Sequence, residues 1–375
     1  MPSLEIVPAD SGRARRRFID VPYRLHGHDP NFVPPLRRER RDLFDTRRHP
    51  FFRHAEAAFF LAQRDGRPVG RIEAIVNHAH NRFHDDRVGF FGAFERESDR
   101  SVSDALLSCA ARWLRRRGMQ VMRGPVTHST NEECGLLVDG FEEPPMIGMP
   151  YNPPYYVGLL EGFGLAKAKD LYAWEVLAGQ TIPDKIQRVA DIVRKSTNVV
   201  IRLVNFGDYT SEIRRAMSVY NASWIRNWGF VPLTEAEFVH AAEQLRPLLE
   251  HFPEGALLAE VDGRTIGFCL TVLDANQALA RVRNGRLFPF GFWTLYRGLK
   301  RVDQARVMAL GVRPEFRHSG IDALIYLELL SRGQRLGFRR AEISWTLEDN
   351  RAMNRAIRMG GRHHKTYRLY DAPLA

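Results

Sequence analysis

The feature that most restricts the fold of this chain is an internal repeat. Asp65-Gly66-Arg67 returns as Asp262-Gly263-Arg264, 197 positions later (262 − 65), and apolar runs flank the tripeptide both times. The apolar strand that begins at Leu4 returns at Ile201 with the same offset. An Asp-Gly pair between β-rich runs is typical of a β-hairpin. A period this long indicates two copies of one domain rather than a solenoid.

With 375 residues, the chain is long enough for two globular domains. We predict an N-terminal domain over residues 1–180, a connecting helix over residues 181–198 and a C-terminal domain over residues 199–375. The connecting helix rests on the helical spacing of Ile186, Val189, Ile192 and Val193.

The second copy ends in a stretch of alternating strand and helix patterns. An apolar run followed by a polar turn with one glycine and an amphipathic helix is typical of an anion-binding arrangement, because the first N–H groups of a helix have no internal partner. Gly320 carries no Cβ, and Arg317 and His318 add donors. A pyrophosphate suits this position. In order, the patterns predict a strand at Val307–Val312, a turn at Arg317–Asp322, a helix from Ile321 to Gly337, a strand at Ala341–Trp345 and a helix from Asn350.

This stretch resembles the core of the GNAT acyltransferases, whose pyrophosphate loop reads Arg/Gln-x-x-Gly-x-Gly/Ala. Arg317 and Gly320 match that pattern, whereas Asp322 stands where Gly or Ala is usual. Asn350 opens the last helix at the family's spacing. Ile357 occupies the place of the tyrosine that often protonates the departing thiolate.

The resemblance implies an α/β (α+β) fold of two tandem GNAT-like domains, each a mixed, mostly antiparallel sheet flanked by helices. It also implies acyl-CoA as the donor and an amine as the acceptor. The sequence itself predicts no metal, because it has no Cys/His metal-ligand spacing. Tandem domains of this kind occur in protein N-myristoyltransferases, mycothiol synthase and the Fem aminoacyltransferases. The residues to which the resemblance assigns acyl-CoA are Leu310, Val312, Arg317, His318, Ser319, Gly320, Ile321, Asp322 and Asn350.

In such chemistry a backbone N–H near Val312 polarises the thioester carbonyl. Glu342, Ser344 and Glu348, on or just after the second strand of the stretch, are candidates for contact with the amine. Glu342 and Ser344 share one face of that strand, because side chains alternate. We predict catalytic roles for Glu342 and Glu348 and substrate binding by Ser344.

The first copy has a different loop after its fourth strand, Val88–Phe94. The segment Glu95–Arg100 has no glycine and three carboxylates, which would repel a pyrophosphate. We therefore predict that CoA binds only to the second copy and that the first copy shapes the acceptor side.

Polar loops with aromatic residues supply the remaining candidates. His128 is a candidate general base because its reference pKa lies near neutral pH. The alternatives are that Ser129 or Thr130 caps a helix, that the Tyr-rich loop is rigid packing, and that Trp224 belongs to the core. The predicted substrate-binding residues here are Asn131, Glu133, Tyr151, Asn152 and Trp228.

Residues 287–301 form an aromatic insert between basic residues, where the resembled family has a short turn. An aromatic face with a cationic rim is typical of proteins that meet anionic membranes. Two other interpretations of the insert are possible: it forms the roof of an acyl tunnel, or it is a helix packed between domains.

The net charge of +11 and the pI near 9.8 favour anionic partners, although a solvated Arg-rich surface gives the same balance. We see no nucleic-acid motif, so nucleic acid is an unlikely partner. The three scattered cysteines and the lack of an apolar leader or spanning segment predict a cytoplasmic protein, with peripheral contact at the inner face of the membrane left open. No pattern predicts the oligomeric state.

The leading hypothesis is an acyl-CoA-dependent N-acyltransferase that moves an acyl group, preferably a long chain, to a primary amine. The segments Pro150–Tyr156 and Ser344–Asn350 resemble a bacterial tandem GNAT branch that N-acylates sphingoid bases, as in bacterial ceramide synthases. The alternatives are acetylation of a small amine or protein N-terminus, and a non-catalytic binding module on a decayed GNAT frame.

Overall fold

A computed structural model describes residues 3–179, 184–317 and 319–374. Strands and helices alternate along the whole chain. The strands are β1 (Leu4–Pro8), β2 (Ala55–Arg64), β3 (Arg67–Asn77), β4 (Val88–Arg96), β5 (Val121–Gly124), β6 (Leu136–Asp139), β7 (Ala166–Leu177), β8 (Val199–Leu203), β9 (Ala256–Val261), β10 (Arg264–Leu273), β11 (Gln304–Val312), β12 (Arg340–Leu347) and β13 (Arg362–Pro373). The α-helices are α1 (Gly12–Leu25), α2 (Arg37–Leu43), α3 (His78–His84), α4 (Arg100–Arg115), α5 (Tyr155–Gly162), α6 (Asp184–Ser196), α7 (Tyr209–Trp224), α8 (Glu235–His251), α9 (Asn276–Leu279), α10 (Gly291–Leu299), α11 (Ile321–Arg335) and α12 (Arg351–Arg358).

The chain divides into two compact units, and neither is one continuous stretch. Unit 1 consists of Met1–Leu171, Ala275–Arg301 and Lys365–Ala375, and unit 2 of Tyr172–Asp274 and Val302–His364. Residues 180–183, at the predicted joint between the domains, lie outside the described residues. The sequence-based domain boundaries stay predictions.

The sheet of unit 1 has the strand order β1-β2-β3-β4-β5-β13, and β6 also pairs with β13. β4 and β5 are parallel, whereas the pairs β1–β2, β2–β3, β3–β4 and β5–β13 are antiparallel. Ile72, Ala74 and Val76 pack with α4 in one hydrophobic cluster. Phe18 of α1 and Phe59 of β2 belong to a second cluster. β3 is buried on both sides, because all of its residues from Val69 to Asn77 are buried.

The sheet of unit 2 has the order β7-β12-β11-β10-β9-β8, with β11 and β12 parallel. Its core joins Ala190 and Val193 of α6 to Ile321 and Leu324 of α11 and to β9 and β10. The predicted amphipathic helix is thus present as α6. Ile192 is an exception to the predicted buried face, because its side chain is 64% exposed.

The repeat is visible in backbone conformation as well as in sequence. Both tripeptide turns join antiparallel strands, β2 to β3 and β9 to β10. The φ angles are +48° and +74° at Asp65 and Gly66, and +50° and +77° at Asp262 and Gly263. Two consecutive residues with positive φ give the tightest hairpin turn, which Asp-Gly favours. The predicted mixed α/β fold of two related copies is confirmed.

None of the described helices has the length and the apolar composition needed to cross a bilayer.

Candidate active site

The two parallel strands of unit 2 separate part-way along their length. Their pairing runs from Gln304↔Arg340 to Val307↔Ile343, and both strands continue beyond it. On its other edge, β11 has a bulge at Met308, because Thr271 pairs with Val307 and Leu270 with Ala309. A bulge bends a strand and raises its twist. We call the space between β11 from Met308 onward and β12 from Ser344 onward the unit 2 wedge.

The strand beside this wedge leads into the N-terminus of α11. Gly320 is the N-cap residue, with φ +82°, and no side chain caps the helix there. Ser319 is exposed, and its hydroxyl donates to the Phe316 carbonyl at 2.7 Å. The first N–H groups of a 15-residue helix and the positive end of its dipole therefore face a loop without a competing side-chain acceptor at the cap. This suits a phosphate group.

Gly320 is needed here for a reason that the sequence did not reveal. A Cβ on Gly320 would lie 2.6 Å from Cγ1 of Val189 and 3.0 Å from Cγ2 of Val193, both in α6. The positive φ adds a second requirement for glycine. The glycine thus lets α6 pack closely against the start of α11, rather than leaving room for a ligand on that side.

The other predicted residues of this loop take varied positions. The Arg317 guanidinium donates to the carbonyl of Ser223 in α7 at 2.5 Å, so it fastens the loop to that helix. Ile321 is buried, and Asp322 is exposed in the first turn of α11. His318 was also predicted to bind the cofactor and lies outside the described residues.

Strand β12 carries a buried polar chain beside the wedge. Ser344 donates from its hydroxyl to Glu342 Oε1 at 2.6 Å, and Arg306 Nε of β11 donates to Ser344 Oγ at 2.8 Å. Glu342 is fully buried, and Ser344 and Arg306 are nearly so. A buried carboxylate is stable only when it is paired or hydrogen-bonded, and this chain meets that need. It also links an acid to the strand that borders the wedge.

The corresponding loop of unit 1 is occupied by its own side chains. Asp99 is the N-cap of α4, and its carboxylate accepts from the Ser101 N–H at 2.8 Å. Arg64 forms an ion pair with Asp99, and Arg67 with Glu97. The hydrogen bond from Ser101 and the ion pair with Arg64 lower the pKa of Asp99 to about 2. A carboxylate already fills the anion position of this helix, and the absence of CoA binding in unit 1 stays a prediction.

The wedge of unit 1 is filled by backbone. β4 and β5 pair from Val88↔Val121 to Phe90↔Arg123, and the chain after β5 then crosses onto β4. Val126 donates its N–H to the Phe91 carbonyl at 2.7 Å. A Cβ on Gly92 would lie 2.0 Å from the Val126 carbonyl oxygen, so only glycine fits. In unit 1, the space between the two parallel strands is therefore filled by the protein's own backbone.

Comparison with known proteins decides the family. The Acetyltransferase (GNAT) family model matches residues 216–360. A protein named bacterial ceramide synthase, from Caulobacter vibrioides (strain NA1000 / CB15N), is 37% identical, with 99% of this chain and 98% of that protein covered. Protein YghO of Escherichia coli (strain K12) is 36% identical, with 96% and 93% covered.

This chain belongs to the GNAT family. It is an acyltransferase. Among solved structures, a tandem GNAT protein from the clavulanic acid biosynthesis pathway, without AcCoA, has a TM-score of 0.56 at 14% identity and covers 100% of this chain and 99% of its own. A GCN5-related N-acetyltransferase from Sphaerobacter thermophilus has a TM-score of 0.52 at 14% identity, covering 98% and 96%. These structures share the fold with this GNAT protein.

Within this GNAT protein, the remaining donor-side residues are placed as follows. Leu310 pairs with Cys269, and Val312 with Gly267, in the β10–β11 ladder. Asn350 caps α12, where its side chain accepts from the Met353 N–H at 3.3 Å. Ile357, in the place of the family's tyrosine, is buried.

His128 lies deep in unit 1. Its ring is fully buried and stacks on the ring of Phe51, with the two centroids 4.8 Å apart. Its backbone φ is +66°. Nε2 is 3.7 Å from Oε1 of Glu73, which is also fully buried. Burial raises the pKa of Glu73 to about 8. His128 therefore has a buried acid beside it, and its role as a general base stays a prediction.

The loop around His128 contains no helix. Val126 and Cys134 form an isolated antiparallel bridge, and Thr127 donates its N–H to the Glu133 carbonyl at 2.8 Å. The alternative that Ser129 or Thr130 caps a helix is therefore wrong. The loop closes on itself because this bridge satisfies its backbone groups locally.

The predicted acceptor residues separate into structural and partly buried positions. Asn152 is buried and bonds both backbone groups of Leu137, at 2.7 and 3.0 Å, so it secures β6. Tyr151 donates its hydroxyl to Asp29. The other four are partly buried: Asn131 in the loop after β5, Glu133 paired with Arg40, Trp228 in the turn after α7, and Glu348 just after β12.

Sequence reasoning missed a buried ionic cluster beneath α1. The predicted loop Glu95–Arg100 begins two residues later, because β4 extends to Arg96, and Glu95 points into unit 1. His26 Nε2 lies 2.7 Å from Glu95 Oε2, and Tyr156 donates to the same oxygen at 3.1 Å. Burial would raise the pKa of Glu95, but His26 and Arg71 outweigh it and hold that pKa below its usual value.

The signal for this cluster was present in β3. Arg71 and Glu73 occupy alternate positions of an otherwise apolar run, so both point to the same face of the strand. Two charges on one face of a strand that is buried on both sides indicate an internal ionic site. Among the described residues, no three His, Cys, Asp or Glu side chains are grouped so that they could hold a metal ion.

Proposed function

We propose that this GNAT protein transfers an acyl group from a CoA thioester to a primary amine at the unit 2 wedge. The observation that carries the proposal is the uncapped N-terminus of α11 at the end of a strand that has separated from its parallel neighbour. A helix N-terminus binds a pyrophosphate, and the freed edge of β11 offers backbone groups to the pantetheine arm.

The residues of β12 supply the acceptor side of this proposal. The neutral amine attacks the thioester carbonyl, the C–S bond breaks, and the amine proton leaves through a base or water. The Arg306–Ser344–Glu342 chain provides hydroxyl and carboxylate oxygens beside β12 that orient the amine and accept its proton. The buried Ile357 supplies no proton to the thiolate. Most of the rate then comes from holding both reactants together.

A long acyl chain and a lipid amine such as a sphingoid base are the substrates that we favour. The support is the 37% identity to a protein named bacterial ceramide synthase over nearly the full length of both chains. A second candidate is acetylation of a small amine, which the match to the Acetyltransferase (GNAT) family supports.

Calorimetric titration with palmitoyl-CoA and acetyl-CoA, followed by mass spectrometry of products from sphinganine and from a short amine, separates these two candidates. Tighter binding of palmitoyl-CoA and formation of an N-acyl sphinganine support the lipid reading. Equal affinities with product from the short amine only would replace it by the second candidate.

The pyrophosphate position has a test of its own. Ser319 is exposed next to the N-cap of α11, so Ser319→Glu places a carboxylate where the pyrophosphate is proposed to bind. We expect about a tenfold loss of acyl-CoA affinity, or about 1.4 kcal/mol. Ser319→Gln has a similar size without the charge and retains the affinity. Equal binding by the two variants would rule out this helix N-terminus as the site.

A further inference from the structure

The aromatic insert presents an unusually apolar surface. Phe288, Phe290, Phe292, Trp293 and Tyr296 are 82%, 76%, 50%, 58% and 42% exposed, respectively. We call these five side chains the aromatic patch. Single exposed apolar residues are common, whereas a contiguous group of large aromatic side chains marks a contact surface. The exposure does not fit the alternative that these five side chains are buried between domains.

The patch is held on a fixed base within unit 1. Arg37 donates its N–H to the Gly285 carbonyl at 2.9 Å and its Nε to the Asn284 carbonyl at 2.7 Å. Asn276 Nδ2 donates to the Pro145 carbonyl at 2.8 Å. A Cβ on Gly298 would lie 2.7 Å from Ala278, so α10 packs tightly on α9. Both ends of the segment are therefore anchored while its aromatic side chains face solvent.

The charge around the patch is of one sign. The segment from Arg281 to Arg301 contains no Asp or Glu. Lys300 places Nζ 4.5 Å from the ring centroid of Tyr296, so cation and aromatic side chains intermix. The exposed basic residues of the segment are Arg281, Arg283, Arg286, Arg297, Lys300 and Arg301.

We propose that the aromatic patch docks this protein on the anionic surface of a lipid bilayer. Aromatic rings partition into the headgroup boundary, and nearby basic residues are attracted to the negative surface potential of anionic lipids. A second copy is a poorer occupant, because apposed patches would bring two cationic rims together. The inference rests on exposure and charge alone and is independent of the proposed function.

Vesicle sedimentation tests this inference with the full-length protein. We expect the protein to bind phosphatidylcholine vesicles that contain about 30% phosphatidylglycerol, to bind pure phosphatidylcholine at least about tenfold more weakly, and to dissociate as salt increases. The variant Phe288→Ser/Phe290→Ser/Trp293→Ser should lose at least about tenfold in vesicle affinity. Phe83→Ser, which removes a 41% exposed phenylalanine from α3, is the matched control and should bind as the wild type does.

Three results would overturn the inference. The first is that the wild type does not bind anionic vesicles, and the second is that the triple variant binds them as tightly as the wild type does. The third is that the wild type is a dimer in sedimentation velocity and the triple variant is a monomer. The last result would assign the patch to a second copy. Titration of the triple variant with acyl-CoA distinguishes the two proposals. The variant can lose vesicle binding and still bind acyl-CoA at the unit 2 wedge, and the wild type can bind vesicles without binding acyl-CoA.

Discussion

Two strand–loop–helix segments have the same topology, β4 to α4 in unit 1 and β11 to α11 in unit 2. They differ in what caps the helix and in what lies between the parallel strands. In unit 1 an aspartate caps the helix and the chain after β5 fills the wedge. In unit 2 a glycine begins the helix without a side-chain cap, and the parallel pairing ends at Val307↔Ile343. The same frame thus serves as a closed structural module in one copy and as the proposed cofactor site in the other.

The contrast between the two segments shows which positions to examine in a duplicated fold. A family motif reports whether an anion can bind a helix N-terminus, but the wedge depends on the chain that follows the second parallel strand. In unit 1 that chain is Gly124 to Thr127, which turns back toward β4. To decide whether such a site can bind a ligand, the path of the chain after the second parallel strand is therefore as informative as the sequence motif.

The largest expected effect concerns the closed wedge of unit 1. Gly92→Ala forces a Cβ to 2.0 Å from a backbone carbonyl that cannot move aside, and we expect a loss of about 3 kcal/mol in the free energy of unfolding. Urea denaturation measures it. Gly158→Ala, in α5 with nothing within 4 Å of the new Cβ, should be neutral or slightly stabilising. A tolerated Gly92→Ala would mean that the wedge is not tightly filled.

A smaller effect is expected at Gly320, the N-cap of α11 in unit 2. Gly320→Ala combines an unfavourable positive φ with contact to Val189, and we expect a loss of about 2 kcal/mol. Gly337→Ala has a similar φ, +76°, with open space around it, and should cost about 1 kcal/mol. The two variants can be compared by urea denaturation. Equal losses would show that α6 does not press on the start of α11.

The smallest effect concerns the side-chain cap that distinguishes the two helices. Asp99→Ala should cost about 1 kcal/mol at neutral pH because α4 loses its cap, whereas Asp99→Asn keeps the cap and should cost less. The pKa of Asp99 is lowered to about 2, so its charge stabilises the fold above its unfolded pKa of about 4. That contribution is lost as pH falls from about 4 to about 2. A difference between wild type and Asp99→Asn that stays constant with pH would contradict the ion pair with Arg64.

Local patterns made much of the fold predictable. The Asp-Gly turns, the strand at Val307–Val312 and the helix from Ile321 depend on residues that are near each other in sequence, so propensity and periodicity identify them. The capping alternative at Ser129 and Thr130 failed for a tertiary reason, because a bridge between Val126 and Cys134 holds that segment as a loop.

The parts of the site that escaped prediction depend on contacts between distant residues. The packing of Val189 against Gly320 joins two helices that the sequence separates widely, and no local pattern reports it. The sequence pattern predicts a loop that begins at Glu95. His26 and Tyr156 instead stabilise it inside unit 1.

The pairing of residues 366–373 with the strands of unit 1 has a consequence for biosynthesis. β13 pairs through Tyr370 to Pro373 with β5, and through Thr366 to Arg368 with β6. A nascent chain that ends anywhere before these residues leaves β5 as an unprotected edge. Unit 1, although its first residues are translated before those of unit 2, can complete its sheet only after Pro373 has been translated. Unit 2, whose residues end at His364, can therefore be completed before unit 1, although translation of unit 1 begins first.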